Sequence, residues 1–137
     1  MSDCIFCKIV AGEIPSFKLY EDELLIAILD RFPNTPGHLL IIPKRHVENI
    51  YGLNEAEAAA IMPLAQKMAD KINAELNPAG LNLLQNNGEA AGQEVFHFHL
   101  HLIPRYGRRG AEDGLPPRTP TDPTLEELAQ MAERLRI

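Results

Sequence analysis

The chain has 137 residues, 45% of them apolar and 23% charged, with a formal net charge of −6. That size and apolar fraction suffice for one domain with its own core. The acidic balance argues against non-specific wrapping of nucleic acid, which needs a basic face to displace phosphate counterions, and no run of about 18 apolar residues is present to span a bilayer.

No basic-then-apolar leader opens the chain, so a cytoplasmic protein with neither a membrane nor a nucleic-acid partner is expected. Residues 4–10 read as a short helical turn ended by Gly12 and Pro15, and they carry Cys4 and Cys7 as a CxxC. At this spacing the pair serves a metal, redox chemistry, or neither. Residues 17–21 and 24–29 read as two strands, the second closed by Asp30. Pro33, Asn34, Thr35, Pro36 and Gly37 make a turn that leads through His38 into a buried strand, Leu39, Leu40, Ile41 and Ile42, stopped by Pro43. Asn54 is an N-cap with Glu57 three residues on, and Ile61, Leu64, Met68, Ile72 and Leu76 follow helical spacing. One long helix over residues 54–76 results, with a kink or break expected near residues 59–63, because Pro63 removes a hydrogen bond. Residues 81–85 read as a strand, Asn86, Asn87 and Gly88 as a turn, and residues 95–103 as the longest strand, stopped by Pro104. Residues 107–123, rich in glycine and proline, read as a tail before a short helix from about Thr124. The order indicates an α+β fold with a largely antiparallel sheet of about five strands, residues 1–108 forming the domain and 109–137 a C-terminal tail.

In the segment His97-Phe98-His99-Leu100-His101-Leu102 the residue types alternate strictly. In a strand, the three imidazoles would leave one face about 7 Å apart and the apolar residues the other. A solvated, histidine-rich face is the bland explanation, but β-propensity would favour Thr, Val or Tyr there. Neutral imidazole is a nucleophile and an acid–base group near neutrality, and crowded imidazoles disfavour one another's protonation. The preceding loop, residues 86–93, is rich in small residues whose N–H groups can approach a phosphate, although an ordinary hairpin turn would look the same. Together they set a candidate anion cradle beside a candidate nucleophile, as phosphoryl or nucleotidyl transfer requires.

His97-Phe98-His99-Leu100-His101-Leu102-Ile103, preceded by Gly92-Gln93, resembles the signature of the histidine triad (HIT) superfamily. The resemblance extends over about residues 4–106. It takes in Cys4-Ile5-Phe6-Cys7-Lys8-Ile9, Glu13-Ile14-Pro15, Tyr20-Glu21-Asp22, Pro36-Gly37-His38, Ile42-Pro43-Lys44-Arg45-His46 and Asn86-Asn87-Gly88. The small HINT-like branch and its bacterial relatives are most similar, while galactose-1-phosphate uridylyltransferases and aprataxins match less well in size and charge. The resemblance implies a HIT-like fold and an enzyme that attacks the α-phosphate of a purine nucleotide (an AMP or GMP moiety) through a nucleotidyl-His99 intermediate. His101 and His38 would position His99 or handle the leaving group's proton. Asn86, Gly92, Gln93 and the backbone of Val95 would lie near ribose or phosphate, Asp30 would accept from the ribose hydroxyls, and Phe6, Ile9, Ile28 and Leu29 would line the base pocket. Each apolar residue has ordinary core packing as its alternative, and Asp30 a turn role.

The resemblance also implies a structural zinc on Cys4, Cys7, His46 and His97, no organic cofactor, and a homodimer paired through the long helix and a strand. In one respect the chain departs from the pattern: the position after Gln93, often Ser or Thr in the family, is Glu94, which would repel a phosphate. Two other functions compete. The His-x-His-x-His strand could itself hold a catalytic zinc with an open water position, or the chain could bind nucleotide as a regulator with little turnover.

Overall fold

A computed structural model describes residues 3–107 and 120–137. The apolar residues of three central strands build the sheet. β2 (Leu25–Leu29) lies between β1 (Lys18–Glu21) and β3 (Leu39–Pro43), and β5 (Leu100–Arg105) lies between β3 and β4 (Gly80–Leu84), giving the order β1-β2-β3-β5-β4. Every neighbouring pair is antiparallel. β2 and β3 are buried on both faces, which explains their uninterrupted apolar sequences. Leu25, Ala27, Leu29, Leu39 and Ile41 face the larger core, with Phe98, Leu100 and Leu102. Ile26, Ile28, Leu40 and Ile42 face a smaller one, closed by Phe6 and Ile9. Each large apolar side chain so buried contributes about 1.5–3 kcal/mol.

Helix α2 (Glu55–Leu76) covers the larger core with Ile61, Leu64, Met68 and Ile72, and the expected capping box joins Asn54 and Glu57. The helix runs unbroken through Pro63, so the expected break does not form. Pro63 and Ala59, whose carbonyl loses its partner, both lie on the exposed side, where water takes that hydrogen bond. Helix α3 (Leu125–Leu135) starts at Thr124 in its own capping box and buries Leu128, Ala132 and Leu135 against the same core. Much of the expected tail, residues 108–119, lies outside the described residues, as does Pro116, from which a crossing to a partner's site would start. Residues 120–137 pack on their own chain: the Ile137 N–H donates to Leu19 O at 3.0 Å.

The small core is closed by helix α1 (Ile5–Val10), within the segment read as a helical turn. Two one-turn 3₁₀ helices, Ile50–Gly52 and Glu89–Ala91, were not expected. The strand expected over residues 95–103 is also shifted. β5 starts at Leu100, because β3 ends in Pro43, whose carbonyl takes the His97 ring N–H instead of a backbone partner, and the Phe98 N–H turns to Val47 O. The strand also passes through Pro104 to Arg105. Pro104 still pairs with Leu81 of β4. Its carbonyl, and with it its nitrogen, faces the β3 side, where it accepts from the Thr35 hydroxyl and where pairing has ended at Leu39–Leu102, so the missing N–H breaks no ladder bond. Among the described residues, no helix is long and apolar enough to cross a membrane.

Candidate active site

His97 and His99 precede β5 in irregular backbone and His101 lies within it. The apolar residues still alternate into the helix-side core, but the imidazoles divide between two places instead of lining one strand face. His97 turns to the first turn of α1. There Cys4 caps the helix, its Sγ accepting the Cys7 N–H, so both thiols sit at one helix end. His97 Nε2 is 2.7 Å from Pro43 O, and since a carbonyl only accepts, the ring proton is on Nε2. The bare Nδ1 then faces Cys4 Sγ at 3.3 Å and Cys7 Sγ at 3.6 Å, while His46 Nδ1 lies 3.2 Å from Cys7 Sγ. All four ligand atoms lie within 4.8 Å of one another. A tetrahedral ion with Zn–S of about 2.3 Å and Zn–N of about 2.05 Å sets sulfur and nitrogen about 3.6 Å apart, so this donor set fits zinc. The carbonyl behind His97 is the outer partner that metal-binding histidines usually have. Burial and the neighbouring Cys4 push the Cys7 thiol up, as in a donor set that needs a cation to ionise.

His46 is braced independently. Arg45, next to it, makes a two-point contact with Glu57 of α2 at 2.7 and 3.0 Å and donates to Gly52 O. The Glu57 side chain is buried, and Arg45 holds its carboxyl below the usual range. In the sequence Glu57 was legible as a capping residue and not as this anchor.

Of the other two triad imidazoles, His101 meets His38 and His99 packs beside His101. Gly37, in the left-handed region at φ +91, brings the backbone against Leu76 and Pro104, where a Cβ would come within 2.6 Å of Leu76 Cδ1, and the chain enters β3 through buried His38. The Asn34 N–H donates to His38 Nδ1 at 3.0 Å, so neutral His38 carries its proton on Nε2, 2.9 Å from His101 Nδ1. That direction leaves neutral His101 protonated on its own Nε2. Asp30 Oδ2 is 3.6 Å from His38 Nε2. Burial pushes the Asp30 carboxyl up and the His38 imidazole down to about 3, so at neutral pH this contact is not an ion pair. With its Nδ1 taken and its Nε2 protonated, His38 does not fit as a ligand of the Asp30–His38–His101 group.

His99 stands between the two clusters, its ring 4.9 Å from that of His101 and 5.0 Å from Phe6, both edge-on. Its Nδ1 is 2.7 Å from His97 O, so the proton is on Nδ1 and Nε2 carries the lone pair. Burial holds the imidazole below its usual range, which keeps it neutral. What results is an oriented, unprotonated nitrogen beside a hydrogen-bonded imidazole pair, the arrangement of a nucleophile with acid–base neighbours. Sequence reading missed Asn34 and Pro43, the backbone groups that select these tautomers, because backbone contacts leave no residue-type signal.

The other expected site residues divide. Asp30, Phe6, Ile9 and Ile28 lie on the histidine side, with Val95 packed against the small core. Leu29 does not join them: it alternates onto the helix face and belongs to the larger core. Gln93 is buried with its amide committed, Oε1 accepting the Gly88 N–H and Nε2 donating to Glu48 O and Val95 O, so it shapes the loop. Asn86 Nδ2 donates to Gly92 O at 3.3 Å, and Gly92 has φ +94. Glu94 is exposed and lines a shallow depression with Asp3, Glu48 and Phe96.

The sequence pattern of the HIT domain matches residues 11–108. The chain belongs to the HIT family. Among relatives of this HIT chain, "Protein hit" of Bacillus subtilis is 54% identical over 106 residues, 77% of this chain and 73% of that protein. "Adenosine 5'-monophosphoramidase hnt1" of Schizosaccharomyces pombe is 41% identical over 133 residues, covering 96% and 95%. A Zn-bound histidine triad family protein from Mycobacterium smegmatis superposes with a TM-score of 0.81 at 36% identity, over 98% of this chain and 94% of that one. In the present HIT chain the Cys/His cluster and the His38–His101–His99 group are distinct, joined by Phe6, whose ring edges meet both His97 and His99.

The buried neutral His38 has a consequence for stability. Its folded pKa lies below its unfolded value near 6.5, so below pH 6.5 the unfolded chain binds more protons and stability falls as pH falls, over the window from 6.5 to about 3. One such group contributes a slope of at most about 1.4 kcal/mol per pH unit. Urea midpoints at pH 7, 6 and 5 should therefore drop more steeply for the parent than for His38→Gln. Equal slopes would contradict a neutral imidazole at this position.

Proposed function

We propose that the chain is a HIT nucleotide hydrolase that cleaves the α-phosphate of a purine nucleoside phosphoramidate or dinucleoside polyphosphate through nucleotidyl-His99. The reading rests on one observation: the bond from His99 Nδ1–H to His97 O, which leaves the Nε2 lone pair available for attack. As the Nε2–P bond forms, the bond from phosphorus to the leaving nitrogen or oxygen breaks with its electron pair. The leaving group takes up the His101 Nε2 proton. Water then attacks phosphorus as the Nε2–P bond breaks with its electron pair returning to His99, one water proton restores His101 Nε2–H, and the nucleoside monophosphate is released. Asp30 and the Phe6, Ile9 and Ile28 side would take ribose and base, with residues 86–95 beside the phosphate. The name of the S. pombe relative favours P–N cleavage.

In the same reading, Cys4, Cys7, His46 and His97 hold a structural zinc, as the metal of the M. smegmatis neighbour suggests. Four protein ligands leave no position for an activated water. The divided imidazoles also speak against a catalytic metal on the His-x-His-x-His segment. The working form is a cytoplasmic homodimer, a pairing to which edge strand β4 with exposed Leu83, and exposed Tyr51 and Met62, lend support. Light scattering at micromolar concentration should give twice the chain mass; a monomer would contradict it.

Trapping tests the mechanism. Mixing with an adenylated amine labelled in the α-phosphate, followed by alkaline quench, should leave label on the protein that acid removes, as expected for a P–N bond to histidine. Turnover without protein-bound label at any time would overturn the covalent route, and label without turnover would favour a binding protein.

A further inference from the structure

The peptide group between Pro33 and Asn34 is held at both edges. Its carbonyl oxygen accepts two hydrogen bonds from Thr121, from the backbone N–H at 2.8 Å and from the hydroxyl at 2.6 Å. Its N–H donates to His38 Nδ1 at 3.0 Å. A peptide group is planar, and trans before a non-proline residue, so its C=O and N–H point in opposite directions and turning one edge turns the other. We propose that Thr121 is a positioning residue: by holding the Pro33 carbonyl it aims the Asn34 N–H at His38, keeps the His38 proton on Nε2, and so sets the direction of the hydrogen bond into His101. The consequence for turnover, though not the tautomer itself, rests on the role given to His101 under the proposed function.

Three features carry the assignment. The turn has few donors of its own to lock it, since Pro33 and Pro36 lack an N–H, and the Thr35 hydroxyl is committed to Pro104 O at 2.6 Å. The segment that supplies Thr121 is itself fixed. Arg31 Nη1 reaches Asp122 Oδ1 and Pro123 O, both at 3.3 Å, and α3 behind it is anchored in the core by Leu128, Ala132 and Leu135. Thr121 also lies beyond residue 108, where the match to the HIT domain ends, so a segment outside the matched region reaches back to the catalytic group of its own chain. Orientation of a base by a neighbour that fixes its tautomer is a general catalytic device. Here the neighbour is a backbone amide, set from behind.

The test compares parent, Thr121→Val and Thr121→Ser. Thr121 is exposed, and valine keeps its shape and backbone donor while deleting the hydroxyl. Long-range ¹H–¹⁵N correlation should show His38 as the Nε2–H tautomer in the parent, a mixture of both tautomers in Thr121→Val, and the parent pattern again in Thr121→Ser. The Asn34 amide should exchange about three- to tenfold faster in Thr121→Val, the scale of losing one hydrogen bond. With an adenylated amine, kcat should fall by a similar factor at unchanged KM, and serine should restore it. A Thr121→Val protein that unfolds more easily but keeps the His38 tautomer and Asn34 exchange of the parent would overturn the proposal, as would a serine variant that fails to restore them. The two NMR readouts need no substrate, so they stand even if nucleotidyl-His99 is never found, and an altered tautomer with unchanged kcat would overturn the link to turnover.

Discussion

Replacing His99 with alanine should lower turnover by at least about a thousandfold, while nucleotide binding stays within a few fold of the parent. The attack depends on one atom, Nε2, held unprotonated by the bond from Nδ1 to His97 O. In the proposed mode, binding would be spread over Asp30, the loop of residues 86–95 and the apolar side at Phe6, Ile9 and Ile28. The His99 ring makes edge contacts with Phe6 and His101, so the fold should survive with at most a small loss of melting temperature. His38→Ala and His101→Ala should reduce the rate less, because each removes help with the proton or the orientation and leaves the nucleophile in place. Single-turnover kinetics on an adenylated amine, with binding of the nucleoside monophosphate measured by calorimetry, separate the two effects. A His99→Ala rate within about tenfold of the parent, a barrier change of only about 1.4 kcal/mol, would remove His99 from the role of nucleophile.

Cys4→Ser or Cys7→Ser should release one zinc per chain and lower the melting temperature by about 10 °C, with activity far above that of His99→Ala. Helix α1 has six residues, too few to hold together unaided, and Phe6 and Ile9 are its buried residues. The proposed coordination would tie it to the His46 segment and to the chain just before β5. A net loss of about 3 kcal/mol corresponds to that midpoint shift in a chain of this length. Some activity should be lost as well, because Phe6, flanked by the two cysteines, rests on the edge of His99. Metal analysis of protein purified without chelator is the direct measurement. Protein that holds no zinc, or whose melting is indifferent to chelator, would return Cys4 and Cys7 to a pair of half-buried thiols.

Local chemistry made much of this protein readable in advance. The cap at Asn54, the start of the last helix near Thr124, the apolar stripe from Ile61 to Leu76 and the strands read at residues 24–29 and 39–42 depend on neighbours within a few positions, and the structure has them there to within a residue. The alternating histidines and the CxxC were legible too as residue patterns, while the grouping of Cys4 and Cys7 with His46 and His97 was implied by the family resemblance, and the structure brings those four side chains together. Elements and faces that depend on distant partners were not legible. Whether residues 95–99 form a strand depended on Pro43, more than 50 positions away, whose carbonyl takes the His97 ring instead of extending a ladder. Whether Pro63 breaks its helix depended on which side of α2 met solvent.

The sequence by itself singled out the alternating histidines and the CxxC pair, since these follow from residue type and spacing, while His38 and His46 entered through the resemblance to the HIT family. Only the tertiary structure decided how they divide and which nitrogen of each ring carries the proton. His97 parts from His99 because the bend before β5 sends one ring to the cysteines and the other to His101. The tautomers are set by the carbonyls of Pro43 and His97 and by the amide of Asn34. Every residue has a carbonyl and nearly every residue an N–H, so no sequence pattern marks the few that folding brings within 3 Å of an imidazole.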